Sequence, residues 1–175
     1  EGELIHRDSH GFEARVTPAN LMVIYAGAVI GHEERMDAAG PETHMLQIFV
    51  RPHTAELDSQ VSFADPGPLA PGDWRFLAGP KGPLTLRNRV WILDRDVQMA
   101  ETLALPAAPE PGLAVWLYVF SGEIDAEGQT FSEGDGFAVP PGGDLPLLTA
   151  RKPGRLVHFW VDLDAPAVKT GTLSG

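Results

Sequence analysis

The sequence predicts an all-β protein made of two similar antiparallel barrels in tandem. Glycine (19) and proline (16) are frequent and recur at short intervals, as in Pro66-Gly67-Pro68 and Pro71-Gly72-Asp73. Short runs rich in β-branched and aromatic residues lie between these turn signals, a pattern typical of sandwiches and barrels. No stretch of helical length keeps a 3.6-residue apolar period without a glycine or proline interrupting it. We therefore expect little helix.

The strands are predicted where the apolar runs are longest, at residues 46–50, 90–93, 115–120 and 156–161. A faint internal repeat organises them. Gly2-Glu3 leads through a polar turn to Val16-Thr17-Pro18, and Gly122-Glu123 leads through two turns to Val139-Pro140-Pro141. Each copy is typical of strand, turn, strand, loop and strand, which indicates a repeated β unit.

The repeat suggests three parts. We predict an N-terminal barrel at 1–62, a Pro/Gly-rich connection at 63–83 and a C-terminal barrel at 84–175. One large sandwich with coincidental Gly-Glu turns is the alternative that the pattern leaves open.

Composition excludes several function classes. The apolar (43%) and charged (21%) fractions are ordinary for a globular protein, and the formal charge of −11 disfavours direct nucleic-acid binding. The absence of cysteine excludes disulfides, thiolate ligands and a cysteine nucleophile. The longest apolar run, 21–30, is broken by Gly27 and is too short to span a bilayer. With no signal-peptide pattern at the start, we expect a cytoplasmic protein that does not contact membranes.

His32 and Glu34 are the strongest candidate site residues. They follow a small apolar run, Gly27 to Gly31, and their i, i+2 spacing puts both side chains on one face of an extended strand. An imidazole beside a carboxylate supplies two ligands of the kind that first-row transition metals accept. A hydrogen-bonded surface pair is the simpler interpretation, because this spacing is common in solvated strands.

Several segments, in order, resemble the pirin family of bicupins. The run Gly2-Glu3-x-x-His6-Arg7-Asp8-Ser9 is similar to the family's Gly-Glu-x-x-His-Arg-Asp-Ser turn, and 26–34 resembles its Ala-Gly-x-Gly-Ile-x-His-Ser-Glu segment. Gly40-Pro41 followed by 45–50 is similar to a Gly-Pro and Leu-Gln-Leu-Trp-Val strand. Residues 90–96, 117–123, 134–136 and 156–163 resemble the second cupin of bacterial members. Departures from the family pattern occur at 18–24 and at Val29.

The resemblance implies two facing cupin barrels with a metal, usually iron, only in the first. Family members hold it with three histidines and one glutamate, of which His32 and Glu34 match the last two. The other two histidines belong to a His-Pro-His-Arg-Gly motif upstream of the Gly-Glu turn, which this sequence does not include. We expect a first cupin that is truncated here, with the loss of half the site in a divergent member as the alternative. Bound metal in this chain is then expected to be partial or absent.

The resemblance also implies a function. The leading hypothesis is a quercetinase-like dioxygenase that oxidises an enolic aromatic compound, with Glu34 as a metal ligand that becomes a general base only if it detaches. A non-enzymatic, metal-dependent regulator that binds a protein partner is the alternative, and an inactive protein that keeps the fold is a third. The sequence also leaves open whether the protein forms a homo-oligomer.

The remaining histidines are expected to be structural. His6 and His10 flank a turn that Arg7 and Asp8 are predicted to pin by a charge-assisted hydrogen bond. His44 and His53 bracket a predicted strand, and His158 lies in an apolar one. In the second barrel, Ala108 and Glu110 occupy the positions that correspond to the family's first histidine pair. That barrel is therefore predicted to be metal-free, with the four tryptophans as packing residues.

Overall fold

The computed structural model describes residues 2–27, 29–36, 40 and 42–170. Within these ranges every regular element is a strand, which confirms the all-β prediction. Ala28, in the segment before His32, and Pro41, of the Gly40-Pro41 pair, lie outside the described residues. No helix in the described part of the chain has the length and apolar character that crossing a bilayer requires.

Five strands precede residue 65. They are β1 (Leu4–Asp8), β2 (Glu13–Val16), β3 (Leu21–Tyr25), β4 (His32–Arg35) and β5 (Gln60–Ala64). They form a three-stranded antiparallel sheet in the order β2-β1-β4 and a two-stranded ribbon of β3 with β5. Of the three strands predicted between Gly2 and Pro18, the structure has two, β1 and β2, and β3 begins only after Pro18, at Leu21.

The remaining strands build one eight-stranded sheet. They are β6 (Arg75–Gly79), β7 (Leu84–Thr85), β8 (Val90–Val97), β9 (Thr102–Ala104), β10 (Ala114–Ala126), β11 (Gln129–Ser132), β12 (Gly136–Val139) and β13 (Leu147–Val161). The main order is β11-β10-β13-β8-β6-β7, with β12 on β10 and β9 on β13. Three of the four predicted strands, at 90–93, 115–120 and 156–161, lie within β8, β10 and β13.

The two longest strands bend where their register shifts. β10 and β13 pair along most of their length, with irregularities between Val119 and Ile124. Gly122 lies inside this bulge at φ 88°, and a Cβ there would stand 2.7 Å from the carbonyl oxygen of Pro153. Bulges bend a strand and increase its twist. The bend lets β10 pair with β12 at one end and with β11 at the other.

The large sheet has apolar residues on both faces. One face forms the interior of the second barrel, where Val119, Ile124, Leu148 and Leu156 are fully buried. The other face carries a second cluster that includes Ile92 and Val157 and packs against side chains of β3 and β5. The outer face of the second barrel therefore packs against strands of the N-terminal half. The domain limits at 62/63 and 83/84 stay a prediction, and 63–83 contains all of β6.

Two expectations about packing were wrong. Residues 46–50 form no strand, although Leu46 packs against the second apolar cluster. An apolar run becomes a strand only when a neighbouring backbone supplies hydrogen bonds, and among the described residues no strand pairs with this one. Of the four tryptophans, Trp116 is 49% exposed and does not contribute to the core, whereas Trp74, Trp91 and Trp160 do.

Candidate metal centre

The pairing of β1 with β4 places four metal-ligating residue types on one face of the small sheet. Asp8 lies opposite His32, and His6 lies opposite Glu34. Directly opposed residues of an antiparallel pair project to the same face, as do alternate residues of one strand. The structure therefore puts His32 and Glu34 on a common face, together with His6 and Asp8.

Burial within this cluster is graded. The His6 side chain is fully buried and Asp8 is 8% exposed, whereas Glu34 is half-buried and His32 is exposed. The His6 and His32 rings are stacked with their centroids 5.8 Å apart. The face thus opens to solvent at His32 and closes at His6.

His6 is buried without satisfying its hydrogen-bonding capacity. Among the described residues, neither of its ring nitrogens has a hydrogen-bond partner, and Nε2 lies 3.5 Å from Asp8 Oδ2, too far for a strong bond. Buried polar atoms are nearly always paired in native proteins, so an orphaned imidazole calls for an additional group. This observation makes the cluster around His6 the candidate binding site of the small sheet.

Asp8 is held as a carboxylate by the turn that follows it. Its Oδ1 accepts hydrogen bonds from the backbone N–H groups of His10 (2.8 Å) and Phe12 (3.1 Å). Burial acts to raise the pKa of this carboxyl group, but the backbone hydrogen bonds outweigh it and hold the pKa below its ordinary value. The charge beside His6 and His32 is therefore negative at neutral pH.

Arg7 and Asp8 both hold this turn, but they act through different partners and not through each other. Arg7 points to the other face of β1, where its Nε donates to Glu13 Oε2 at 2.8 Å across the hairpin. A strand alternates its side chains, so adjacent residues such as Arg7 and Asp8 cannot act on one face.

The position of His32 is fixed through its neighbour Gly31. The backbone N–H of Ser9 donates to the carbonyl oxygen of Gly31 at 2.8 Å, and the N–H of Gly31 donates to Ser9 Oγ at 3.1 Å. These two bonds clamp the start of β4 against the turn after β1. The His32 backbone is thereby set before its side chain meets any ligand.

The donor types fit a divalent transition metal, but the donors do not converge. Imidazole and carboxylate groups suit iron, nickel, zinc and their neighbours. Among the described residues, however, no three histidine, aspartate or glutamate side chains are close enough together to hold a metal ion. His32 and Glu34 are the two more accessible side chains of this face, and they are the ones that would bind a metal ion. His6 and Asp8 are buried on the same face.

The other histidines lie in different surroundings. His10 Nε2 is 3.5 Å from Ser59 Oγ, His44 Nε2 is 3.4 Å from Glu42 Oε1, and His53 Nδ1 is 2.8 Å from the carbonyl oxygen of Arg87. His158 is buried in the second barrel. The inward positions of His6 and Asp8 were missed in the sequence, although the alternation Leu4, His6, Asp8 carries the signal.

Two family models match the chain in order. The Pirin model matches residues 1–50, and the model of the quercetinase C-terminal cupin domain matches residues 77–159. The first match contains the cluster on β1 and β4, and the second contains most of the eight-stranded sheet. The chain is thus similar to pirins in its first 50 residues and to the C-terminal cupin domain of quercetinases over residues 77–159. No curated protein sequence matches it.

Several solved structures share the fold of this chain. YhhW from Escherichia coli superposes with a TM-score of 0.78 at 20% identity, over 98% of this chain and 70% of that one. The bacterial pirin YhhW in complex with nickel(II), also from Escherichia coli, gives 0.74 at 19% identity, over 96% and 70%. Quercetin 2,3-dioxygenase from Acinetobacter baumannii gives 0.77 at 18% identity, over 91% and 56%. At these identities the likeness establishes the bicupin fold.

Proposed function

We propose that this chain binds a divalent first-row transition metal through His32 and Glu34. The observation that carries the proposal is the register of β1 with β4, which puts both side chains on one face beside the buried imidazole of His6. That imidazole has no hydrogen-bond partner among the described residues. The nickel(II) complex of a bacterial pirin of the same fold supports a divalent metal. Iron is the metal that the sequence resemblance implies.

Each side chain of such a site would have a different role. His32 and Glu34 would supply one neutral and one anionic ligand, so that a 2+ ion keeps a net positive charge and can attract an anionic oxygen of a substrate. Asp8 keeps its charge and lies opposite His32, so its negative charge would act on the neighbouring imidazoles and on a bound cation. His32, as the exposed member, faces the solvent side from which a substrate would approach.

Metal titration tests the proposal directly. Isothermal titration calorimetry of the 175-residue chain with nickel(II), and with iron(II) under anaerobic conditions, should show saturable binding. His32→Ala and Glu34→Gln should each weaken it by about tenfold or more, because each removes one ligand. His53→Asn is the matched control, since Asn can keep the contact with the Arg87 carbonyl oxygen outside the cluster. Equal metal affinity in the unaltered chain and in all three variants would contradict the proposed site.

The finer proposal is oxidation of an enolic aromatic compound of the quercetin type. The quercetinase C-terminal cupin match and the fold shared with a quercetin 2,3-dioxygenase support it. Oxygen uptake with quercetin should rise in the metal-loaded protein above the metal-free control and fall in Glu34→Gln. Uptake that is the same with and without metal would argue against a dioxygenase.

Metal-dependent association with a protein partner is the second candidate. Large apolar side chains are exposed in the N-terminal half, among them Val29 (80%), Met36 (64%) and Phe49 (64%). They would support a partner surface if they form one contiguous patch, because contiguous exposed apolar patches are typical of protein-binding surfaces. Two results together would favour this function: metal binding without oxygen uptake, and an increase in the molecular mass measured by light scattering when metal is added. Such an increase in the purified protein would indicate self-association.

A further inference from the structure

Four polar side chains line the interior of the second barrel. On β13, His158 lies between Leu156 and Trp160, and both of these belong to the barrel core. On β8, Arg95 lies between Leu93 and Val97, which belong to the same core. Because strands alternate, His158 and Arg95 project to the inner face with these apolar neighbours. Trp74, just before β6, also packs against this core.

These side chains form one cluster. The His158 ring centroid lies 5.4 Å from that of Trp74 and 4.9 Å from that of Trp160, the latter in an edge-on arrangement. The guanidinium carbon of Arg95 lies 5.9 Å from the Trp74 ring centroid. His158 is completely buried and Trp160 is 6% exposed.

The cluster contains five buried polar atoms without partners. Nε1 of Trp74, Nε1 of Trp160, Nε of Arg95 and both ring nitrogens of His158 make no hydrogen bond to the described residues. A core that merely packs would use apolar groups at such positions, since unpaired buried polar atoms are destabilising and rare. Their concentration in one place indicates a missing occupant.

The chemistry of the five atoms selects that occupant. Indole and guanidinium nitrogens are obligate donors, so they cannot ligate a cation. Burial lowers the pKa of His158 to about 4, which leaves the imidazole neutral at pH 7 with one donor and one acceptor. The cluster therefore offers four donors against one acceptor. A group rich in accepting oxygens satisfies it. Because the rings of Trp74 and Trp160 both lie within 5.4 Å of the His158 ring, that group must be small.

The cluster meets solvent at Arg95. The Arg95 side chain is 12% exposed, and its Nη2 pairs with Glu101, which is 23% exposed. The Nε of Arg95 remains unpaired on the inner side. The ion pair is thus the part of the cluster that lies nearest to solvent.

We propose that the interior of the second barrel binds a small oxyanion, a carboxylate or a phosphate group, through Arg95, Trp74, Trp160 and His158. The proposal gives a ligand site to a barrel that the sequence predicts to be metal-free and structural. It is independent of metal at His32 and Glu34. Ordered water is the competing occupant, because water can also accept these hydrogen bonds.

Indole N–H resonances provide the test. In ¹H–¹⁵N spectra, acetate, benzoate and inorganic phosphate are titrated at ionic strength matched with sodium chloride, and resonances are assigned with single Trp→Phe variants. We expect at least one probe to shift the Trp74 and Trp160 signals saturably, while the exposed Trp116 stays unchanged. Saturable shifts with none of the probes would assign the site to water and overturn the proposal, as would equal shifts at all four indoles.

Three variants separate binding from folding. Arg95→Met should weaken the responding probe by about tenfold or more, because it removes a charge-assisted donor. Glu101→Gln should tighten it, because it removes the competing anion. Trp74→Phe removes one donor with a smaller change in packing, and it serves if Arg95→Met fails to fold. Arg89→Met is the matched control, since Arg89 lies over Trp91 at 5.6 Å and pairs with Asp162 at the surface. Unchanged affinity in Trp74→Phe and Glu101→Gln would refute the site.

Discussion

Asp8 lies directly opposite His32 across the antiparallel pair of β1 and β4, with its carboxylate almost completely buried beneath the exposed imidazole. The same carboxylate receives the backbone N–H groups of His10 and Phe12, which hold it charged. One side chain thus links the folding of a turn to the electrostatics of the candidate metal centre.

Asp8→Asn should separate these two roles. The amide oxygen can still accept both backbone hydrogen bonds, so we expect the melting temperature at pH 7 to change little. The negative charge beside the imidazoles is lost, and metal affinity should fall about 10- to 100-fold, as for other groups that orient metal ligands. Calorimetric titration with nickel(II) measures this effect. If metal affinity is unchanged while thermal stability falls, Asp8 acts on the turn alone.

Asp94→Asn should destabilise the protein strongly. Asp94 accepts hydrogen bonds from Arg75 at 3.0 and 2.7 Å, and both side chains are largely buried. Removing one partner of a buried pair leaves an uncompensated charge, so the free energy of unfolding should fall by about 3 kcal/mol. Urea unfolding measures the change. Asp96→Asn is the control on the same strand, because its pair with Arg155 is half-exposed and should contribute less than about 1 kcal/mol.

His158 should make the protein less stable in mild acid. Burial lowers the pKa of the folded imidazole from 6.5 to about 4, so between these values the unfolded chain binds a proton that the folded chain does not. Stability must therefore fall as the pH drops through this window, by about 3 kcal/mol in total, and change no further for this group below it. His158→Phe should flatten that part of the curve. Denaturant unfolding at several pH values, compared as a difference between the two proteins, isolates the effect from the carboxylates. Identical slopes would show that His158 is not buried as a neutral ring.

Gly122→Ala should test the bulge that bends β10. Alanine at φ 88° is strained, and its Cβ would meet the backbone of Pro153 and Gly154 at 2.7 and 2.9 Å. Gly128→Ala is the matched control, because Gly128 has φ 78° with nothing within 4 Å of the added Cβ. In both variants alanine must adopt a left-handed backbone conformation, which should lower the free energy of unfolding by roughly 1 kcal/mol. Gly122→Ala should cost at least about 1 kcal/mol more because of the close contact. Similar unfolding free energies for the two variants would contradict this close approach.

The apolar runs of the sequence located three long strands of the large sheet, but they did not reveal the neighbours of the candidate site. The apolar runs at 90–93, 115–120 and 156–161 became strands because each found a partner in the large sheet. The run at 46–50 has similar composition and did not. Likewise the i, i+2 spacing put His32 and Glu34 on one face, but it could not show that β1 lies beside β4. His6 and Asp8 therefore appeared to be residues of a turn.

The sequence alone determined local properties of this protein. These are the turns that glycine and proline favour, the alternation of side chains along strands, and the absence of cysteine and of helical periodicity. Those properties decide the all-β class and the face to which a side chain points. Only the tertiary structure decided which strands pair, and hence that His6 and Asp8 stand behind His32 and that unpaired nitrogens gather around His158. The physical reason is that backbone hydrogen bonds in a sheet join residues far apart in the chain, and side-chain pattern specifies a face but not a neighbour.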